Sequence, residues 1–416
     1  MQRKRNLYHK SRYYKQRQRK RKRIFAAAGA ILLLFVFLAA VQAVKSQKKQ
    51  AVFSSDSQVQ DNQVQSDTDV RDSNGENKNS DESSSSADSE SPDSSSGTSD
   101  SAYSSITQPV TLTVSVVGDC TLGTDENFDY STSLNAYFEN YGKEYFLQNV
   151  KSIFEADDLT IANNEGTFTD SDQRADKLYA FKAPASFAGI YSSSSVEAVN
   201  TANNHSHDYG EDSFTDTMAA LDAEGIIHFG YEETAVMEIK GIKVGLVGIY
   251  ELNDHLGCEQ QLKDNISKVK EEGAQLVIVI FHWGNEKETV PDSNQTTLGR
   301  LAIDEGADLV CGHHPHVLQG IEEYKGKNIV YSLGNFCFGG NSAPSDMDTM
   351  IFQQTFTITK DGLKEDNAST IIPCSISSAY GYNNYQPTPA QGEEKTESWK
   401  KSRSEVPGLI RVEIIK

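Results

Sequence analysis

From residue 110 onward, short apolar runs alternate with amphipathic stretches. The runs at 111–117, 159–162, 196–201, 243–250, 276–281, 309–311 and 328–333 are short and rich in Val, Ile and Leu. They read as buried strands. Stretches at 134–154, 213–223, 262–272 and 295–305 read as helices, and Gly225 supplies a stop for the second of them. Residues 350–358 alternate apolar with polar, as an antiparallel strand does when one face is buried. Residues 409–415 read as a closing strand, while 375–405 are polar without a period and predict no element. Strands alternating with helices predict an α/β fold around a mostly buried sheet.

The first hundred residues have another pattern. Residues 1–23 carry twelve Lys or Arg and no acid, and 24–44 follow with no charge. About 20 apolar residues span a bilayer as a helix, and a basic flank stays in the cytoplasm. The expectation is a cytoplasmic head at 1–23, one transmembrane helix at 24–44, and an extracellular remainder in a single-pass membrane protein. Cleavage near Ala39–Ala43, as after a signal peptide, is the alternative. Residues 45–108 are rich in Ser and Asp and nearly free of aromatics, so they predict a disordered linker. A domain at 109–416, with its core at 112–340, completes the organisation.

Residues 45–416 hold 27 basic and 59 acidic side chains, a balance of −32. Such a body does not bind nucleic acid, whose phosphates reward positive surfaces. It also repels an anionic polymer unless a metal or a local basic site offsets the charge. The five cysteines show no CxxC spacing and read as small buried apolar residues.

The chemistry lies where the runs end. Asp119, Glu165, Asn204, His282, His314 and His316 each follow an apolar run within a few positions. In α/β sheets, ligands bind beyond the carboxyl ends of strands, so these six side chains can share one rim. Singly, each has a plainer reading: Asp119, Asn203, Asn204 and Asn335 as turn residues, Glu165 and His205 as caps, His282 as a core histidine. Jointly, carboxylate, amide and imidazole donors suit divalent ions of the Mn, Fe or Zn type, and two ions better than one. Glu165 is the candidate bridge between them, and His205 the candidate general acid.

The motifs Val117-Gly118-Asp119, Ala162-Asn163-Asn164-Glu165-Gly166, Phe181-Lys182-Ala183-Pro184, Thr201-Ala202-Asn203-Asn204-His205 with Asp208-Tyr209-Gly210, His282-Trp283-Gly284, Gly312-His313-His314-Pro315-His316 and Gly334-Asn335-Phe336 occur in this order. Over residues 112–340 the chain resembles the CapA/PgsA family of poly-gamma-glutamate capsule synthesis proteins, itself similar to calcineurin-like metallophosphoesterases. The resemblance implies a four-layer α/β/β/α sandwich, metal ligation by Asp119, Glu165, Asn204, His282, His314 and His316, and a catalytic His205. It assigns Lys182, Asn203, His313 and Asn335 to substrate binding. It implies a membrane-anchored protein in the synthesis or export of an anionic surface polymer, with the polymer or its precursor and membrane-embedded synthase subunits as partners. A non-enzymatic accessory subunit and a cell-wall phosphoesterase are the alternative functions. Two departures stand out. Thr121 occupies the place of a phosphoesterase His, and Lys182 replaces an Arg, which loses the bidentate fork for an anion.

Overall fold

In the computed structural model, the described residues are 103–390, Gly392 and Glu413–Ile414. The basic head, the apolar span at 24–44 and nearly all of the linker lie outside them. Among the described residues, no helix is long and apolar enough to cross a membrane.

The first half of the domain contributes β1 (Val110–Thr121), β2 (Leu159–Asn164), β3 (Thr167–Phe168), β4 (Lys182–Ala183), β5 (Ala198–Asn200) and β6 (Ile227–Phe229). The second contributes β7 (Ala235–Ile239), β8 (Ile242–Tyr250), β9 (Leu276–His282), β10 (Leu309–His313), β11 (Ile321–Tyr324) and β12 (Lys327–Val330). The chain returns through β13 (Asn335–Phe338), β14 (Asp348–Thr359), β15 (Gly362–Leu363), β16 (Ala368–Ser375), β17 (Thr388–Pro389) and β18 (Glu413–Ile414). The helices are α1 (Leu134–Tyr141), α2 (Lys151–Phe154), α3 (Gly189–Ser192), α4 (Gly210–Glu224), α5 (Glu259–Glu271) and α6 (Ser293–Asp304).

Two sheets carry the architecture. The larger runs β17-β16-β14-β1-β2-β5-β6, with β13 beside the end of β1. Its strands β1, β2, β5 and β6 are parallel, and β14 closes against β1 in antiparallel register from Val110↔Ile358 to Val117↔Ile351. The smaller runs β11-β12-β10-β9-β8-β7, parallel at its centre and antiparallel at both edges. Every residue of β2, β9 and β10 is buried, as expected of parallel strands covered on both faces.

Three apolar layers hold this together. Val114, Val116 and Ile161 of the large sheet meet Leu246, Ile278 and Cys311 of the small one. The outer face of the large sheet packs Val117, Ala162 and Val199 against Leu134, Phe154 and Leu221 of the helices. The outer face of the small sheet packs Val247, Val279 and Val310 against Leu262, Ile266 and Leu298. The order is therefore helices, sheet, sheet, helices. The five cysteines are buried and free.

Three elements differ from the sequence expectation, the first being β17, a two-residue strand inside the stretch 375–405 for which none was expected. The single helix at 134–154 is broken: Gly142, at φ 78°, ends α1, and its N–H caps the Phe138 carbonyl at 2.8 Å. A left-handed φ suits glycine and cannot continue a helix. The strand expected at 328–333 stops at Val330, because the chain leaves the small sheet there and rejoins the large one as β13. The closing strand is present as the pair Glu413–Ile414 beside Thr370 and Ile371.

Candidate metal centre

The strand ends aim one set of side chains at a common point. β1 delivers Asp119, β2 leads into Glu165, and β5 leads through Thr201 to Asn203, Asn204 and His205. From the small sheet, β9 ends on His282, and β10 ends on His313 with His314 and His316 just beyond. Gly118 makes the junction possible. A Cβ there would stand 2.1 Å from the Gly334 carbonyl oxygen, the same oxygen that accepts the Asp119 N–H at 2.9 Å.

Glu165 is the centre. It is 1% exposed, and its Oε1 has no hydrogen-bond partner. That oxygen lies 3.7 Å from Nε2 of His282, 3.8 Å from Nε2 of His316 and 4.0 Å from Nε2 of His205. Its other oxygen accepts the Thr121 hydroxyl at 3.4 Å. Glu165, His314 and His316 each offer a ligand atom within 4.8 Å of the others. An unpartnered buried carboxylate oxygen is costly unless something positive completes it, and this carboxylate with the imidazoles of His282, His314 and His316 is a donor set that suits a divalent ion, His205 standing beside it.

The other candidate ligands are held from outside. Asp119 accepts Asn163 Nδ2 at 2.8 Å, and its Oδ2 lies 3.2 Å from His316 Nδ1 and 3.3 Å from the His314 N–H. Nδ1 of His316 also faces Asn335 Oδ1 at 3.0 Å. Two acceptors on Nδ1 fix a proton there and aim Nε2 at Glu165. His282 Nδ1 lies 3.3 Å from Asn163 Nδ2, and its Nε2 lies 2.8 Å from Asn204 Oδ1. The His282 and His314 ring centroids are 4.9 Å apart, and Nδ1 of His314 is buried and unpartnered.

The electrostatics follow from burial without water. Burial, then the Asp119 charge, pushes the Glu165 carboxyl up to about 8. Burial opposes charge on His316, but Glu165 and Asp119 overcome it and raise the ring to about 10. Burial would also raise Asp119, yet the His316 hydrogen bond and charge hold it below the usual carboxylate range. His282 lies well below its ordinary value because of burial and the neighbouring rings. Burial and the His316 charge push His314 down to about 3. His282 and His314 are thereby held neutral and able to ligate, whereas His316 would have to yield its Nε2 proton to an arriving ion.

His205 stands at the side of this cluster. Its Nδ1 lies 2.7 Å from Asp208 Oδ2. The second oxygen of Asp208 takes the Lys177 ammonium at 2.7 Å, and the same ammonium bonds the Asn204 carbonyl at 2.9 Å. Burial lowers the His205 pKa most, Asp208 opposes, and Lys177 lowers it further. The sequence reading missed this support. Asp208 stood in a motif without a role, and Lys177 lies in the aperiodic loop between β3 and β4, where nothing signals a partner.

Four remaining candidates take different places. Asn335 bonds His316 and lines the cleft described below. Asn203 is buried as a brace: its amide donates to the Asn164 carbonyl at 2.8 Å and its Oδ1 accepts the His205 N–H at 3.0 Å. His313 is fully buried, and its Nε2 donates to the Val117 carbonyl at 2.9 Å, tying the two sheets. Lys182 points to the loop, bonding the Ser171 carbonyl at 2.8 Å and Asp172 at 3.0 Å. The cation beside the centre is Lys177 instead.

A cleft of about 490 Å³ opens onto His205, His316 and Asn335. Phe128, Tyr179, Phe181, Phe338 and Tyr385 form much of its wall.

The chain is similar to the PGA biosynthesis protein CapA of Bacillus subtilis, 28% identical over 55% of this chain and 63% of that one. It is equally similar, at 28%, to the capsule biosynthesis protein CapA of Bacillus anthracis, over 63% of this chain and 66% of that one. A probable polyglutamine synthesis accessory protein of Mycobacterium tuberculosis is 24% identical over 54% of this chain and 63% of that protein. The alignments thus span just under two thirds of these relatives' own lengths. The family model for the bacterial capsule synthesis protein PGA_cap matches residues 113–340, more than half the chain and all six clustered side chains, so the chain belongs to that family.

Proposed function

We propose that this is a membrane-anchored protein of poly-gamma-glutamate capsule synthesis, with a metallophosphoesterase-type metal site that acts outside the cell on the polymer or its precursor. The observation that carries the reading is the Glu165 oxygen, buried, unpartnered and 3.7–4.0 Å from three imidazole nitrogens. Family membership and the names of the Bacillus relatives support the polymer. The accessory role in the Mycobacterium tuberculosis name supports work beside membrane synthase subunits. The uncharged span at 24–44 behind a basic head supports the anchor.

Asp119, Glu165, Asn204, His282, His314 and His316 would hold divalent ions of the Mn, Fe or Zn type, two in the fullest arrangement. A bound ion supplies Lewis-acid polarisation of an amide or phosphoester and an ionised water at neutral pH. The chain's own part is proton handling. Asp208 keeps the Nδ1 proton of His205, so exchange with a leaving group occurs at Nε2, on the cleft side. Asn335 and Asp119 fix the ring of His316.

Metal analysis of the purified full chain tests this. About two transition ions per chain are expected, lost in His314→Ala, with Mn-dependent turnover of gamma-glutamyl peptides or phosphodiesters. A chain without metal would sink the reading. Thr121, bonded to Glu165 where the phosphoesterase pattern has a ligand, favours a second reading in which the rim binds polymer without turning it over. Metal uptake without turnover of any of these substrates is its signature.

A further inference from the structure

The charge around the cleft does not match a polyanion. Among the described residues lining it, Asp129, Glu286 and Asp346 are acidic and Lys287 is basic. The cations of the neighbouring loop are already paired, Arg174 and Lys177 with buried carboxylates and Lys182 with an exposed one. Arg174 meets Asp125 at 2.7 Å, Lys177 meets Asp208 at 2.7 Å, and Lys182 meets Asp172 at 3.0 Å. Of two divalent ions at the centre, one would be matched by the buried carboxylates Asp119 and Glu165 and the other by the excess of acids at the rim. A chain of glutamyl carboxylates entering past those rim acids would therefore gain no net attraction.

The walls point the other way. Phe128 lies 5.8 Å from Tyr179 and 6.4 Å from Phe181, and Phe181 lies 4.6 Å from the His205 ring. Phe338 faces His316 at 5.8 Å on the opposite side. Aromatic faces with carboxylates at the rim are the environment that attracts an organic cation. We infer that the cleft receives a protonated amine, an ammonium carried by a peptide end or a diamino-acid side chain, and that it offers the polymer's carboxylates no net attraction. The inference rests on the site reading above and sharpens it toward amide chemistry. When an amide is hydrolysed, the C–N bond breaks, water gives its hydroxyl to the carbonyl carbon, and the nitrogen takes a proton. The fragment left beside His205 is then an amine.

Calorimetric titration of the full chain in detergent at low salt tests the idea. The probes are Nα-acetyl-lysine methylamide, gamma-glutamyl-glutamate with a free amino end, and the same dipeptide N-acetylated. At least one amine probe should bind, and acetylation should weaken the dipeptide if the polymer end is the source. Tighter binding of the lysine probe would instead identify a side-chain amine. Asp129→Asn with Glu286→Gln should weaken the better amine about tenfold, and Phe128→Leu about threefold. Both acids are exposed, and the amide that replaces the Asp129 carboxylate keeps an oxygen to cap the turn at Ser131. No binding by either amine, equal or tighter binding of the acetylated dipeptide than of both amines, or an unchanged double variant would overturn the inference. Metal content measured on the same sample separates the two readings: ions present with no amine bound defeats this inference alone.

Discussion

Oδ2 of Asp208 sits 2.7 Å from Nδ1 of His205, while its Oδ1 holds the Lys177 ammonium at the same distance. The same carboxylate also accepts the Phe181 N–H at 2.6 Å. One buried side chain thus orients the candidate acid and anchors the loop over it. Asp208→Asn preserves the shape but loses the charge that fixes the Nδ1 proton. Turnover of whichever substrate the screen yields should fall at least about a hundredfold in kcat, with a smaller change in KM. Asp208→Ala should also cost about 3 kcal/mol of stability, read by urea unfolding, because Lys177 loses its buried partner. An Asp208→Asn enzyme with unchanged kcat would remove His205 from the chemistry.

Gly118→Ala tests the junction of the sheets. The added methyl would collide with the Gly334 carbonyl, which is backbone and has little room to yield. A loss of about 2 kcal/mol is expected, together with reduced metal content, because the shift displaces Asp119. Gly257→Ala is a useful control. Its backbone is not left-handed and its added carbon would meet only Asp254 Cβ, at 3.6 Å, so it should keep the metal.

Removing the ions should destabilise the fold by mass action. A chelator should lower the Tm of the full chain, and at a free metal concentration of 100 Kd the difference is about 2.7 kcal/mol. In Glu165→Gln the amide loses the anionic oxygen, so the chelator effect should shrink to near zero. A chelator-insensitive wild-type Tm would count against the site.

A pH effect arises far from the metal centre. Burial pushes Asp157 up to about 6 despite the Ser115 and Thr160 hydroxyls, and burial pushes Glu197 up to about 7. Both values lie above the unfolded 3.8 and 4.5, so the folded state binds the extra protons. The fold therefore gains stability as pH falls from about 7 to about 4, and carries the full cost of both charges above that window. Glu197→Gln keeps an oxygen for the Thr160 N–H and removes its share. After allowance for partial exposure, a gain of about 1 kcal/mol at pH 8 and almost none at pH 4 is expected. Urea midpoints at the two pH values check it.

Much of this was legible in the chain because parallel strands leave plain traces. The runs before His282 and His314 are short and wholly apolar, that before Asp119 interleaves Leu and Val with Thr and Ser, and the rule that ligands gather beyond strand ends brought the six side chains together. Side-chain direction was not legible. His313 and His314 are neighbours, yet one ties the sheets and the other faces the centre. Lys182 stood in a motif and turned away, whereas Lys177 stood in none and reached His205. Ion pairs formed by an aperiodic loop depend on how it folds back, and no local pattern records that. The break at Gly142 was missed for a simpler reason: apolar periodicity resumes after it and hides one positive φ.

The large sheet supplies Asp119, Glu165 and Asn204, and the small sheet supplies His282, His314 and His316. Neither half alone holds the full set of donors. On the metal reading proposed above, the chain would have to finish β10 and dock it before all six could close on one site. An ion seated there would act as a rivet between the halves.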